Sequence, residues 1–473
     1  MTARGLRLAS LLLGTAVLAG CATFSDDGGF GAVEQATAKR LDKQVRWMRS
    51  DDDRKAGAER VQQLLAEPLT ADSAVQVALL NNRGLQAEFA ELGITEAEVV
   101  QAGRLPNPGF SYARLTRGSE IERERTIGFD LARLVALPWI NRMEARRFQL
   151  KQGEVSLAVL GLASDTRKAW LRAVAADETV RYMQQVQRTA AASSELARRM
   201  AAVGNFSKLQ RAREQAFDAE AQLMLARALQ NQVATRERLT RLLGLWGQQA
   251  DFKLPERLPD LPQTIAERPD IERTAMAQRL DIQGARLTAE QTARNLGLTK
   301  VTRFIDVLEV SYQSNLSNEA PTQRGWEIGV ELPLFDWGGA KVARAEAVYV
   351  QAVEQAAQTA IDARSEVREA YAAWRIGWDI ARHHREQLVP LRNLIAEENV
   401  LRYNGMLIGV FELLADARLQ ILAVNSAIDA LRDFWIADAD LEMSLIGKPS
   451  MAAAAGAAGA MAPGAGNPGG AEH

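Results

Sequence analysis

The sequence is nearly without cysteine: Cys21 is the only one in 473 residues. That excludes an internal disulfide framework and any metal site built on paired thiolates. Histidine is almost as scarce, with only His383, His384 and His473. The first two are neighbours in a helical pattern, so they diverge by about 100° and cannot share a metal as an i, i+4 pair does. No Gly-rich phosphate loop and no Gly-x-Ser-x-Gly elbow occurs. Enzymatic chemistry, a cofactor and a metal are therefore not expected. Aromatic residues make up 6% of the chain, which suits helices touching along narrow seams better than a thick core. The 57 basic and 59 acidic residues nearly cancel, so nothing suggests an electrostatic grip on nucleic acid. Past the N-terminus no segment offers the roughly 18 unbroken apolar residues of a membrane helix. If this chain crosses a bilayer, it does so with strands.

What the sequence does hold begins with a secretory pattern. Arg4 and Arg7 precede an apolar stretch from Leu8 to Val17, and Leu18-Ala19-Gly20-Cys21 closes it. A plain signal peptide with a chance cysteine has the same start. The position of the lone cysteine resembles a bacterial lipoprotein signal, which implies cleavage after residue 20 and lipidation of Cys21. Ala22 rather than Asp follows, which by the same analogy implies the outer membrane.

The stretch organising the rest runs from Leu332 to Ile446. A short β-like run ends at Gly339, and about a hundred residues of helical pattern follow. Val367, Tyr371, Trp374, Trp378, Ala381 and Leu388 form one seam, interrupted at Arg385. Ala417, Ile421, Val424, Ile428, Leu431 and Trp435 form another. Steps of four and three residues give the coiled-coil period. Between the seams, Tyr403 to Val410 reads as a turn, with Gly405 and Gly409 expected to take the backbone angles that other residues resist. The first arm, about 65 residues, predicts a helix roughly 100 Å long.

The earlier half shows the same order. Residues 21–68 read as a linker or equatorial segment with one amphipathic piece, Leu41 to Met48. A helix is expected from Thr70 to Ala102, capped by Thr70 or Asp72 and stopped by Pro106 and Pro108. Strands follow at 109–115 and 125–132, joined by a hydrophilic loop from Arg117 to Glu124. A helical hairpin spans 139–243, turning at Val203, Gly204, Asn205 and Phe206. Residues 248–266, with Pro255, Pro259 and Pro262, read as a linker. Then a helix starting at Arg279, strands at 304–313 and 325–333 around a polar loop from Ser314 to Arg324, and a hairpin over 338–446 repeat the pattern. The halves, 69–247 and 267–447, are offset by about 200 residues, the spacing of a duplicated domain half. The Ala/Gly/Pro tail, 448–473, reads as disordered.

The fold class is therefore mainly α with a small β part, in duplicated halves. Four strands cannot stand alone in a bilayer, where edge groups find no water. Three chains supply twelve strands, a common size for a membrane barrel. Ile127, Phe129, Leu131, Trp326, Ile328, Val330 and Leu332 are expected to face outward, and Glu327 and Glu331 inward. Trp139 and Trp337 fall where an aromatic belt meets the headgroups. An ordinary soluble hairpin pair with one buried face fits the same alternation. The long, thin hairpins tip the balance, because six of them could close into a hollow cylinder wet on both sides.

These residues carry a resemblance. Leu332-Pro333-Leu334-Phe335-Asp336-Trp337-Gly338-Gly339 looks like the strand-to-helix motif of the TolC family of outer-membrane efflux proteins. The run from Arg402-Tyr403-Asn404-Gly405 through Phe411-Glu412-Leu413-Leu414 is similar to its tip turn. The likeness covers about Thr70 to Gly447. It implies a homotrimer with a twelve-stranded barrel in the outer membrane and long antiparallel coiled-coil hairpins forming a periplasmic α-barrel. It implies a passive duct whose tip docks a periplasmic adaptor serving an inner-membrane transporter. The docking positions carried over are Val203, Gly204, Asn205, Gly405, Met406, Leu407, Ile408 and Gly409, which in any case reverse the helices. The resemblance also implies an acidic pore constriction after the second turn. Glu412 matches one such place, Ala415 stands where a second acid is usual, and Asp416 lies one residue late. Glu412 read from its residues alone is equally a solvated surface group. The glycine of this turn also sits a residue earlier than the family's. The alternative is a lipid-anchored periplasmic coiled-coil adaptor or scaffold without a barrel.

Overall fold

A computed structural model describes residues 23–302, 308–330, 335 and 337–449. Cys21 and the Ala/Gly/Pro tail beyond residue 449 lie outside the described residues. The chain opens with α1 (Phe30–Leu41) and α2 (Asp51–Leu65). The amphipathic piece read over Leu41 to Met48 is irregular beyond Leu41. Asp42 turns left-handed (φ 48°) and ends α1, and a Ser50–Asp53 capping box starts α2 only at residue 51. Thr70 caps the next helix with Ser73, but the single helix expected to Ala102 is two, α3 (Ala71–Asn81) and α4 (Arg83–Ala102). The break has a distant cause. Asn82 caps α4 through Leu85 N at 3.0 Å while its amide donates to Leu242 O at 2.9 Å, and Asn81 donates to Gly244 O at 2.8 Å.

The strands β1 (Gly109–Arg117), β2 (Glu120–Asp130), β3 (Leu308–Ser317) and β4 (Gln323–Val330) form one antiparallel sheet in sequence order. They run further than expected. The polar stretches read as loops over Arg117 to Glu124 and Ser314 to Arg324 are mostly paired strand, because alternating polar residues satisfy a sheet that buries neither face. The expected ends at 304 and 333 lie outside the described residues. β2 stops where Asp130 accepts the Arg133 N–H at 2.8 Å and caps α5 (Leu131–Ala202). Leu131 is therefore helical rather than an outward strand residue, and Pro138, expected to precede the helix, lies inside it.

At 72 residues, α5 is about 110 Å long. It returns as α6 (Lys208–Leu243), whose start carries a Ser207–Gln210 capping box. In the second half, α7 (Ile271–Gln278) precedes the helix expected from Arg279, which is α8 (Leu280–Thr302). The long arm is α9 (Gly339–His383), a π turn over His384–Leu388, and α10 (Val389–Asn404); α11 (Val410–Ser444) comes back. The π turn lies just before Pro390, whose missing N–H and bulky ring forbid an ordinary helical turn there.

Buried clusters gather near the middle of these helices. Trp170, Val174, Leu239 and Leu243 pack with Val77, Phe252 and Leu258; Phe30, Phe89 and Val159 pack beside them; Val367, Trp374, Trp378, Phe434 and Leu441 form the counterpart in the second half. The predicted linker over 248–266 is a strap across both hairpins. Trp378 donates to Pro262 O at 2.9 Å, Trp435 to Pro259 O at 3.0 Å and Arg385 to Leu261 O at 2.8 Å. Arg385 interrupts its seam because the strap needs a donor there. Acidic residues of α11 hold it to both halves: Asp440 pairs with Lys168 at 2.8 Å and Glu442 with Arg167 at 2.8 Å across the halves, while Asp438 accepts from Trp374 of α9 at 2.9 Å within the second. Burial pushes the carboxyls of Asp438 and Glu442 up from their ordinary range.

Gly244 ends α6 with φ 67°, and a Cβ there would stand 2.6 Å from Asn81 O. Gly244→Ala is expected to cost about 2 kcal/mol or more, combining left-handed strain with that clash. Thermal unfolding of the purified protein reads the loss, and an unchanged midpoint would place the contact elsewhere.

Candidate functional site

The register of the sheet sorts its residues onto two faces. Phe110, Ile127, Tyr312 and Trp326 lie side by side across the four strands, with Phe129, Val310 and Ile328 one row below and Leu308 and Val330 below that. This apolar face is uncovered: Trp326 is 74% exposed and Ile328 67%. The opposite face carries Ser111, Thr126, Gln313, Glu124, Glu309 and Glu327. Among the described residues, β1 and β4 each pair on one side only, so the sheet has two open edges. No described helix is long and apolar enough to cross a membrane.

Below the sheet, Phe335 is 99% exposed, and Trp337 and Trp139 are exposed as well. Gly338 caps α9 with φ 71°, a left-handed angle that suits glycine, and Gly339 is the first helical residue. Pro333, Leu334 and Asp336 of the same motif lie outside the described residues. The two halves thus begin their long helices differently, one from Asp130 and one from Gly338.

At the far end both hairpin turns are Schellman closures. In the first, Asn205 N–H reaches Met200 O at 2.9 Å and Gly204 N–H reaches Ala201 O at 3.2 Å, with Gly204 at φ 79° and Val203 exposed. In the second, Leu407 N–H reaches Arg402 O at 2.9 Å and Met406 N–H reaches Tyr403 O at 3.0 Å. The expectation for the glycines fails here. Gly405 and Gly409 have ordinary φ values of −79° and −82°, and Met406 takes the left-handed position at φ 57°. The arm ends at Asn404, so the geometry that wants glycine falls one residue past Gly405. Met406 is 93% exposed, and Leu407 also points to solvent. Ile408 completes the turn. Glu412 lies exposed in the first turn of α11. Asp416 is half-buried and accepts from the Asn399 amide across the hairpin.

Compared by sequence, the chain matches no protein-family profile and no curated protein. Compared by structure, it is similar to a membrane protein from Pseudomonas aeruginosa, at TM-score 0.69 and 19% identity over 85% of this chain and 95% of that one. The CmeC outer membrane channel of Campylobacter jejuni gives 0.66 and 16%, over 83% and 86%. The MtrE outer membrane channel of Neisseria gonorrhoeae, in its open state, gives 0.64 and 17%, over 82% and 88%. The chain has the TolC-like outer-membrane channel fold.

Sequence reasoning missed the polar residues that close each half. Arg279, at the break between α7 and α8, has a side chain only 1% exposed and pairs with Asp281 at 2.6 Å and Glu366 at 2.7 Å. It also donates to Ser444 O at 3.3 Å, just as Asn82 reaches Leu242 O in the first half. The available signal was the shared position of Asn82 and Arg279 in the two copies.

Proposed function

We propose that the protein is the outer-membrane exit duct of a tripartite efflux or export system: a passive homotrimeric conduit. Each protomer supplies four strands to a twelve-stranded barrel, with β1 of one protomer pairing β4 of the next. Two hairpins from each protomer line a periplasmic helical barrel. The observation that carries this reading is the sheet, which has one bare apolar face and, among the described residues, two unpaired edges. In lipid, open edges must close. The mature chain is anchored to the outer membrane by lipid on Cys21 and extends into the periplasm. The turns Val203-Gly204-Asn205 and Gly405 to Gly409 dock a periplasmic adaptor, itself attached to an inner-membrane transporter that supplies the energy. The bare Met406 and Leu407 suit such a contact. Three Glu412 carboxylates narrow the tip, with Asp416 behind them.

The test is to purify the protein from outer membranes in detergent and insert it into a planar lipid bilayer. A heat-labile trimer that conducts ions is expected. Glu412→Gln is expected to lower the preference for cations over anions, since a carboxylate ring at a constriction selects by charge. A soluble monomer without conductance would overturn the duct and favour a lipid-anchored adaptor or scaffold.

A further inference from the structure

The two faces of the sheet differ in charge as well as in hydrophobicity, with Arg117 the one described basic residue on the polar face. Glu120, Glu122, Glu124, Asp130, Glu309 and Glu327 all lie on the polar face. The apolar face has no described carboxylate, yet toward the hairpin ends remote from the helices it carries Arg114, Arg123, Arg125 and Arg324. All four are exposed, and none pairs with a described acidic residue. We propose that these four arginines form an outward girdle that binds the phosphate groups of anionic lipid headgroups in the leaflet reached by the strand tips. The inference rests on the reading of the sheet as a membrane-barrel wall.

Three features support it. Arg114 and Arg123 are direct cross-strand partners, with Arg125 two residues along the same face. Like charges placed opposite one another repel, and a phosphate between them removes the repulsion through the paired N–H geometry that suits guanidinium. The height also fits. From the Phe129–Ile328 row the two arginine rows lie about 13 and 20 Å along the strands, or about 10 and 15 Å along the membrane normal at a 40° tilt, to either side of half the roughly 25 Å apolar band of a barrel. Finally, Tyr112 and Trp326 stand at the border between the apolar rows and the arginines, where aromatic rings meet headgroups. Arginine further down this face would sit in hydrocarbon, and none does among the described residues.

The full-length trimer in neutral detergent, probed with diphosphorylated lipid A and with the same lipid dephosphorylated, tests the girdle by native mass spectrometry. Retention of the diphosphorylated form at least tenfold over the dephosphorylated form is expected. Arg→Gln at the four positions should weaken retention about fivefold for each, and four Arg→Lys changes should keep part of it. Neither set should alter conductance, because these side chains face away from the lumen. Should the glutamine variant fail to fold, the two lipids on the unchanged protein decide the matter. Equal retention of both forms, glutamine variants that bind like the parent, or displacement by millimolar inorganic phosphate alone would overturn the girdle. A trimer that conducts but ignores the phosphates leaves the duct reading standing, whereas a monomer without conductance removes both.

Discussion

Replacing Ile328 with arginine is expected to abolish assembly of the proposed outer-membrane trimer, whereas Thr126→Arg on the opposite face of the same sheet is expected to be tolerated. Ile328 sits in the apolar row with Val310 and Phe129, and its side chain meets no covering element. If that row faces the middle of a bilayer, each guanidinium costs about 2–4 kcal/mol. A trimer bears the cost three times, enough to exceed much of a protein's marginal stability. Thr126 lies between Ser111 and Gln313 on the face that also holds Glu124 and Glu327, so a cation there meets water and carboxylates. The readout is the trimer band of outer-membrane fractions run unheated and heated. Equal amounts of trimer from both variants would mean that the apolar face does not meet lipid.

Arg279→Met is expected to loosen the second half by about 3–5 kcal/mol, the usual result of removing one partner from a buried ion pair. The loss should be large because one side chain does several tasks. It neutralises Asp281 and Glu366 and caps the carbonyl of Ser444, tying α8, α9 and the end of α11 to one point. Hydrogen exchange should speed up in α7 and the last turns of α11 while α5 and α6 stay protected, since opening is local to the unit that lost its contacts. Adding Glu366→Gln should recover part of the protection by removing one stranded charge. Uniform loss across both halves would mean that Arg279 supports overall assembly instead of this junction.

Much of the architecture was legible because it repeats over short distances. Val367, Trp374, Trp378 and Ala381 were picked out by steps of three and four and are buried together. Phe129, Trp326 and Ile328 were picked out by alternation and lie on one face. The strand ends were misjudged because Glu120 to Arg125 is charged at every position but Ile121. Its own alternation of glutamate with isoleucine and arginine was the signal of strand, with charge of one sign on each face.

By itself the sequence determined the helical arms, their reversal points and the two-faced strands, since all of these depend on contacts between residues a few positions apart. Only the tertiary structure decided where the helices break, how long the strands run and what the proline-rich strap does. Asn82 interrupts a helix because Leu242 O is nearby, and Arg385 interrupts a seam because Leu261 O is. Hydrogen bonds between residues so far apart in the chain leave no local period, so they become visible only when the elements are packed.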